Sequence, residues 1–84
     1  MSYNNDSSNY KIEIVQHNTN RQIPVMHTCL ELAYRTRVDF VLIQEPWIAD
    51  DNRGTVSHSA YISILPDSKE DIRPRVAIFA RKDT

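Results

Sequence analysis

The sequence has one cysteine, one glycine and no long apolar run. A lone Cys29 excludes an internal disulfide framework and suits a reducing, intracellular compartment. The longest apolar run, residues 40–43, is far shorter than the roughly 20 residues of a membrane-spanning helix. Since the polar start of the chain also has no apolar signal core, we expect no membrane segment.

An excess of positive charge is absent as well. Ten Lys and Arg residues stand against eleven Asp and Glu residues, so the formal net charge is −1. The chain therefore has no global basic field that would hold nucleic acid by phosphate attraction alone. Apolar residues make up 40% and charged residues 25% of the 84 residues, which is typical of one small globular domain. Any nucleic-acid role must come from a local site.

The order of the segments predicts an α/β fold behind a short leader. Residues 1–9 are rich in Asn, Ser and Asp without apolar periodicity, and we predict that they are disordered. Residues 10–84 form the predicted domain part. Its predicted elements are a strand at 10–17, a helix at 24–36, a strand at 38–44 and an antiparallel pair of strands at 60–65 and 74–81.

The predicted helix has its apolar residues on one side, which indicates that it covers a core. Pro24 fits its first turn, where a missing N–H costs nothing. One apolar ridge holds Val25, Cys29 and Leu32, the next holds Met26, Leu30 and Ala33, and the opposite side holds His27, Glu31 and Arg35. The following run VDFVLIQ at 38–44 is nearly continuous in apolar residues, as in a central strand buried on both faces.

Two polar residues follow the two strands of this strand-helix-strand unit. Such a unit joins parallel strands by a right-handed crossover, so both strands end at the same edge of the sheet. Asn18 and Glu45 come just past these ends, at the edge where open α/β sheets bind ligands. A carboxylate suits magnesium and an amide donates to phosphate oxygen, which predicts a phosphate and metal site. The alternative is that Asn18 caps the next turn and Glu45 is a solvated acid, and spacing leaves both open.

Two motifs resemble those of a known superfamily. QHNTNR at 16–21 and DFVLIQEPW at 39–47 resemble the first two motifs of the endonuclease/exonuclease/phosphatase superfamily. The Pro-Trp pair after the glutamate and RVAIFARK at 75–82 resemble endonuclease domains of non-LTR retrotransposons, fungal ones in particular, whose elements also encode a reverse transcriptase. The resemblance covers roughly residues 10–82 and implies part of a deoxyribonuclease-like four-layer α/β sandwich. Because a second sheet covers the first in that fold, we expect an exposed apolar sheet face here.

The resemblance also implies functions for individual residues. Asn18 is similar to the asparagine that orients the scissile phosphate, Glu45 to the main magnesium ligand, and Asn20 to a neighbouring support residue. It implies magnesium as cofactor, DNA as substrate and the carboxyl-terminal half of the domain as partner. The family's later motifs, which contain a tyrosine, an Asp-x-Asn pair and a closing Asp-His pair, have no counterpart before Thr84. We therefore expect the 84-residue chain to be inactive alone and to bind magnesium weakly. The alternative is a non-catalytic remnant or a small α/β interaction module.

Trp47 lies two residues after the predicted metal ligand. An aromatic side chain at this place either stacks on a base and seals the rim of the site, or forms a lid on the core. The sequence leaves both alternatives open.

Overall fold

Four strands and one helix make up the part of the chain that the computed structural model describes, residues 11–51, 54–66 and 73–83. The elements in chain order are β1 (Ile14–Asn18), α1 (Ile23–Arg35), β2 (Phe40–Gln44), β3 (Tyr61–Ile64) and β4 (Val76–Arg81). The small mixed α/β fold and each predicted element are confirmed, although the strands are shorter than predicted and β1 begins at Ile14. The leader predicted at 1–9 lies outside the described residues.

The four strands form one mixed sheet in the order β1-β2-β4-β3. β1 and β2 are parallel and are connected through α1, which confirms the predicted strand-helix-strand unit. β3 and β4 are antiparallel, also as predicted. β4 returns to pair antiparallel with β2, so it lies between β2 and β3. β2 is therefore a central strand with β1 at one edge of the sheet.

A proline lies near the start of α1, and a backbone hydrogen-bond motif ends the helix. Pro24 lies in the first turn, as predicted. At the other end Arg37 has a φ angle of 61°. Its N–H donates to the Tyr34 carbonyl at 3.2 Å, and the Val38 N–H donates to the Ala33 carbonyl at 2.9 Å. This pair of bonds is a Schellman motif, which ends the helix and turns the chain into β2.

No helix of the described residues is long and apolar enough to cross a membrane.

The core lies between α1 and one face of the sheet. The buried residues Met26, Leu30 and Ala33 on the helix confirm one of the two predicted ridges. They pack against the buried sheet residues Val41, Ile43, Tyr61, Ala77 and Phe79. The prediction was wrong for Leu32, which is 57% exposed. Its ridge faces β1, and because β1 is an edge strand, this ridge lines an open groove of about 520 Å³ with Val15 and His17.

The other face of the sheet is apolar and open to solvent. We call it the outer face, and by strand alternation and register its apolar residues are Ile14, Phe40, Leu42, Ile62, Ile64, Val76, Ile78 and Ala80. Phe40 and Leu42 are only half-buried, so the prediction that β2 is buried on both faces was wrong. The isoleucines of this face are 36% to 67% exposed. The predicted exposed apolar sheet face is confirmed.

Candidate functional site

The carboxyl ends of β1 and β2 meet at one edge of the sheet. Asn18, the last residue of β1, pairs in register with Gln44, the last residue of β2, and Glu45 follows directly. We call residues 18–22 and 45–47 the edge loops. The Thr19 N–H donates to the Gln44 carbonyl at 3.0 Å, and the Arg21 N–H donates to the Glu45 carbonyl at 2.7 Å. The topology therefore brings the loops of Asn18 and Glu45 side by side.

Thr19 holds the edge loops together from inside the protein. It is fully buried. Its hydroxyl donates to the Glu45 carbonyl at 3.0 Å. Its own carbonyl accepts from the Gln22 N–H at 3.0 Å, just before α1 begins. Thr19 was not predicted from the sequence, which indicated only the two asparagines on either side of it. Strand alternation could have predicted its burial, because it turns the residue after Asn18 away from the outer face.

Asn18 caps the turn that follows β1, which is one of the two alternatives that the sequence left open. Its Oδ1 accepts a hydrogen bond from the Asn20 N–H at 2.9 Å, so it does cap the next turn. Its Nδ2 makes no hydrogen bond to the described residues, so an amide donor remains for a ligand. Asn20 is exposed, and it contributes its backbone N–H to this turn. Asn18 can therefore shape its loop and bind phosphate at the same time.

Glu45 presents a carboxylate at the surface of the edge. Its side chain is 35% exposed, and its Oε1 lies 3.3 Å from Nη2 of Arg21. Its own N–H donates to the Arg75 carbonyl at 2.9 Å, which ties the loop to the start of β4. The Glu45 carboxylate is therefore partly open to solvent and has the Arg21 guanidinium beside it.

The donor set at the edge fits magnesium with few protein ligands. Magnesium usually keeps several waters and takes one or two carboxylates together with substrate phosphate. The partly exposed carboxylate of Glu45 meets that requirement as one ligand. No group of three or more His, Cys, Asp or Glu side chains that could enclose a metal occurs among the described residues. Among the described residues of the edge loops, Glu45 is therefore the carboxylate that a cation could reach.

Backbone strain is concentrated in the edge loops. Of the described non-glycine residues, Asn20, Arg21, Arg37 and Glu45 have positive φ angles, of 52°, 59°, 61° and 51°. The Schellman motif explains Arg37, and the other three residues all lie in the edge loops. Asparagine tolerates this region, whereas arginine and glutamate enter it at a cost of about 1–2 kcal/mol each. Such conformations persist where surrounding bonds enforce them, and they cluster at functional sites.

Trp47 is the last residue of the second edge loop and lies on the core. Its side chain is half-buried and packs against the core cluster. The backbone N–H of Trp47 donates to the Met26 sulfur at 3.1 Å, and its backbone carbonyl accepts from the Thr55 hydroxyl at 2.6 Å. Of the two alternatives from the sequence, this position favours a lid on the core over an exposed stacking platform.

A second polar cluster connects α1 to the loop before β3. The Ala60 N–H donates to Nδ1 of His58 at 3.0 Å, so the ring proton lies on Nε2, which is 3.0 Å from Oε1 of Glu31. The hydrogen bond from His58, and then that from Arg35, lowers the pKa of Glu31 from its ordinary value of 4.5. The rings of Tyr34 and Tyr61 each lie 5.6 Å from the His58 ring. These groups satisfy one another, which indicates a structural cluster.

The edge loops therefore combine a carboxylate, an amide donor and a guanidinium on a strained backbone. Amide and guanidinium groups donate to phosphate oxygens, and a carboxylate binds a divalent cation. The arrangement suits a phosphate ligand together with a cation. No protein-family model, curated protein or solved structure matches the chain.

Proposed function

We propose that the chain is the amino-terminal part of a magnesium-dependent DNA endonuclease domain. Its superfamily would be that of the endonuclease/exonuclease/phosphatase proteins, in the form that non-LTR retrotransposons encode. The observation that carries the proposal is the strained pair of edge loops, in which Asn18 and Glu45 lie on adjacent segments. The motifs QHNTNR and DFVLIQEPW supply these same loops.

Each residue has a role that follows from its chemistry. Glu45 would hold the cation through its partly exposed carboxylate, and Nδ2 of Asn18 would donate to an oxygen of the scissile phosphate. Bound magnesium would stabilise the negative charge that develops on the phosphate. Thr19 would keep the Glu45 backbone in place through its buried hydrogen bond. Asn20 would support Asn18 by donating its N–H to Oδ1.

The outer face supports the finer proposal of a four-layer sandwich. Its isoleucines are exposed, whereas the buried core lies on the other face of the sheet, under α1. In the proposed parent domain, a second sheet from the carboxyl-terminal half would cover this face and contribute the remaining catalytic groups. The 84-residue chain alone would then lack nuclease activity.

Plasmid nicking tests the proposal. We expect no nicking by the chain alone, and magnesium-dependent nicking after fusion to the carboxyl-terminal half of a non-LTR retrotransposon endonuclease domain. In the fusion, Glu45→Gln should lower the rate by at least about a hundredfold, since the metal's charge stabilisation is lost with its ligand. Glu13→Gln is the matched control, because Glu13 is also partly exposed and pairs with Lys11 at 3.3 Å. Nicking by the chain alone, or full activity of the Glu45→Gln fusion, would contradict the proposal.

The second candidate function is a non-catalytic α/β interaction module, and the exposed outer face is the observation that favours it. Such a module should associate through this face, whatever residue stands at position 45. Sedimentation velocity of the chain should then show self-association that Ile62→Lys abolishes and Glu45→Gln leaves unchanged. Magnesium-dependent nicking by the fusion would decide for the endonuclease.

A further inference from the structure

Arg21 is directed at Glu45 by both its backbone and its side chain. Its φ of 59° is unfavourable for an arginine, yet its N–H donates to the Glu45 carbonyl at 2.7 Å. Its guanidinium lies 3.3 Å from the Glu45 carboxylate. We propose that the Arg21 side chain has two positions. It pairs with Glu45 while no cation is bound, and it moves to a DNA phosphate when magnesium binds the Glu45 carboxylate. This inference rests on the proposed function and deepens it.

The geometry favours exchange between arginine and cation. Arg21 and Glu45 have side-chain exposures of 39% and 35%, so a hydrated cation can reach the carboxylate without opening the core. Ion pairs at such exposure are weak because water screens them. A guanidinium and a divalent cation repel each other, so they compete for Oε1 of Glu45. Arg21 should therefore reduce the magnesium affinity of the site.

The released guanidinium would remain next to the phosphate position. The hydrogen bond from the Arg21 N–H to the Glu45 carbonyl fixes the start of the side chain beside the proposed cation site. A guanidinium donates two parallel hydrogen bonds to phosphate oxygens, which a lysine ammonium cannot do. The ligand class is thus a phosphodiester already bound to the cation. Arg21 would position the substrate strand and take no part in bond breaking.

Magnesium titration of the 84-residue chain, followed by the backbone amide shifts of the edge loops, tests the first step. Arg21→Asn should bind magnesium about two- to five-fold more tightly than the parent, in line with the loss of one partly exposed ion pair. Asparagine tolerates a positive φ angle, so this variant should fold. Arg35→Gln is the charge-matched control, because Arg35 pairs with Glu31 at 2.9 Å near the far end of α1, and its affinity should stay at the parent value.

Binding of a short mixed-sequence DNA duplex, at magnesium above its dissociation constant, tests the second step. Arg21→Asn and Arg21→Lys should both bind the duplex several-fold more weakly than the parent, since neither presents the planar pair of donors. Equal duplex binding by parent and Arg21→Asn would overturn this step.

The titrations also separate this inference from the function on which it rests. If Glu45→Gln abolishes magnesium binding while Arg21→Asn binds as the parent does, the exchange is refuted and the endonuclease proposal stands. If Glu45→Gln binds magnesium as the parent does, Glu45 is not the ligand and both proposals fail. Tighter magnesium binding by Arg21→Asn but not by Arg35→Gln, together with loss of magnesium binding in Glu45→Gln, supports the exchange.

Discussion

Replacing Thr19 with valine tests whether one buried hydroxyl holds the proposed metal ligand in place. The Thr19 hydroxyl donates to the Glu45 carbonyl at 3.0 Å, and the residue is fully buried. Valine keeps the volume and the branched shape but removes the donor. The Glu45 carbonyl still accepts from the Arg21 N–H at 2.7 Å, so it does not become an unbonded buried acceptor. We therefore expect Thr19→Val to lower the free energy of unfolding by about 1 kcal/mol, the net value of one hydrogen bond.

Urea unfolding followed by the fluorescence of Trp47 measures this loss. With a urea dependence of about 1–3 kcal/mol per molar, the midpoint should fall by about 0.3–1 M. Thr36→Val is the matched control, because its hydroxyl donates to the Leu32 carbonyl at 2.9 Å on an exposed surface, where water can replace the bond. Hydrogen exchange of the Arg21 amide should also accelerate in Thr19→Val alone. Equal midpoints and exchange rates in the two variants would refute the argument.

Three further predictions concern the rest of the fold. Leu30 is fully buried under the sheet, so Leu30→Ala should cost about 2–5 kcal/mol in chemical denaturation, and unchanged stability would mean that its site is not core. The hydrogen bonds of His58 and Arg35 lower the pKa of Glu31, so their stabilisation should be present above pH 4.5, the ordinary value, and decline as the pH falls below it. The difference in free energy of unfolding between the parent and Glu31→Gln should shrink as the pH falls. A difference that grew would contradict this prediction. Burial raises the pKa of the Cys29 thiol above 9.0, so iodoacetamide at mildly alkaline pH should alkylate the folded chain more slowly than the urea-unfolded chain, and equal rates would exclude this burial.

The local sequence was sufficient to predict the elements and the meeting of two loops. Pro24 and the ridge of Met26 and Leu30 are local signals for the helix and its buried side. A strand, a helix and a strand in succession leave few topologies, because crossovers between parallel strands are right-handed. That rule places Asn18 and Glu45 at one edge without any knowledge of the rest of the chain. The roles of these residues as phosphate and magnesium ligands stay predictions.

Only the tertiary structure decided which surfaces are covered and how the edge loops are bonded. Leu32 has the periodicity of a core residue, but it is exposed because β1 is an edge strand beside an open groove. The place of β4 between β2 and β3 depends on pairing between segments more than thirty residues apart, such as Leu42 with Ile78. The periodicity of apolar residues indicates which face of one segment is buried, but it does not indicate which segment pairs with it. The pairing of Arg21 with Glu45 likewise joins residues 24 positions apart, and it depends on the two edge loops lying side by side in the folded chain.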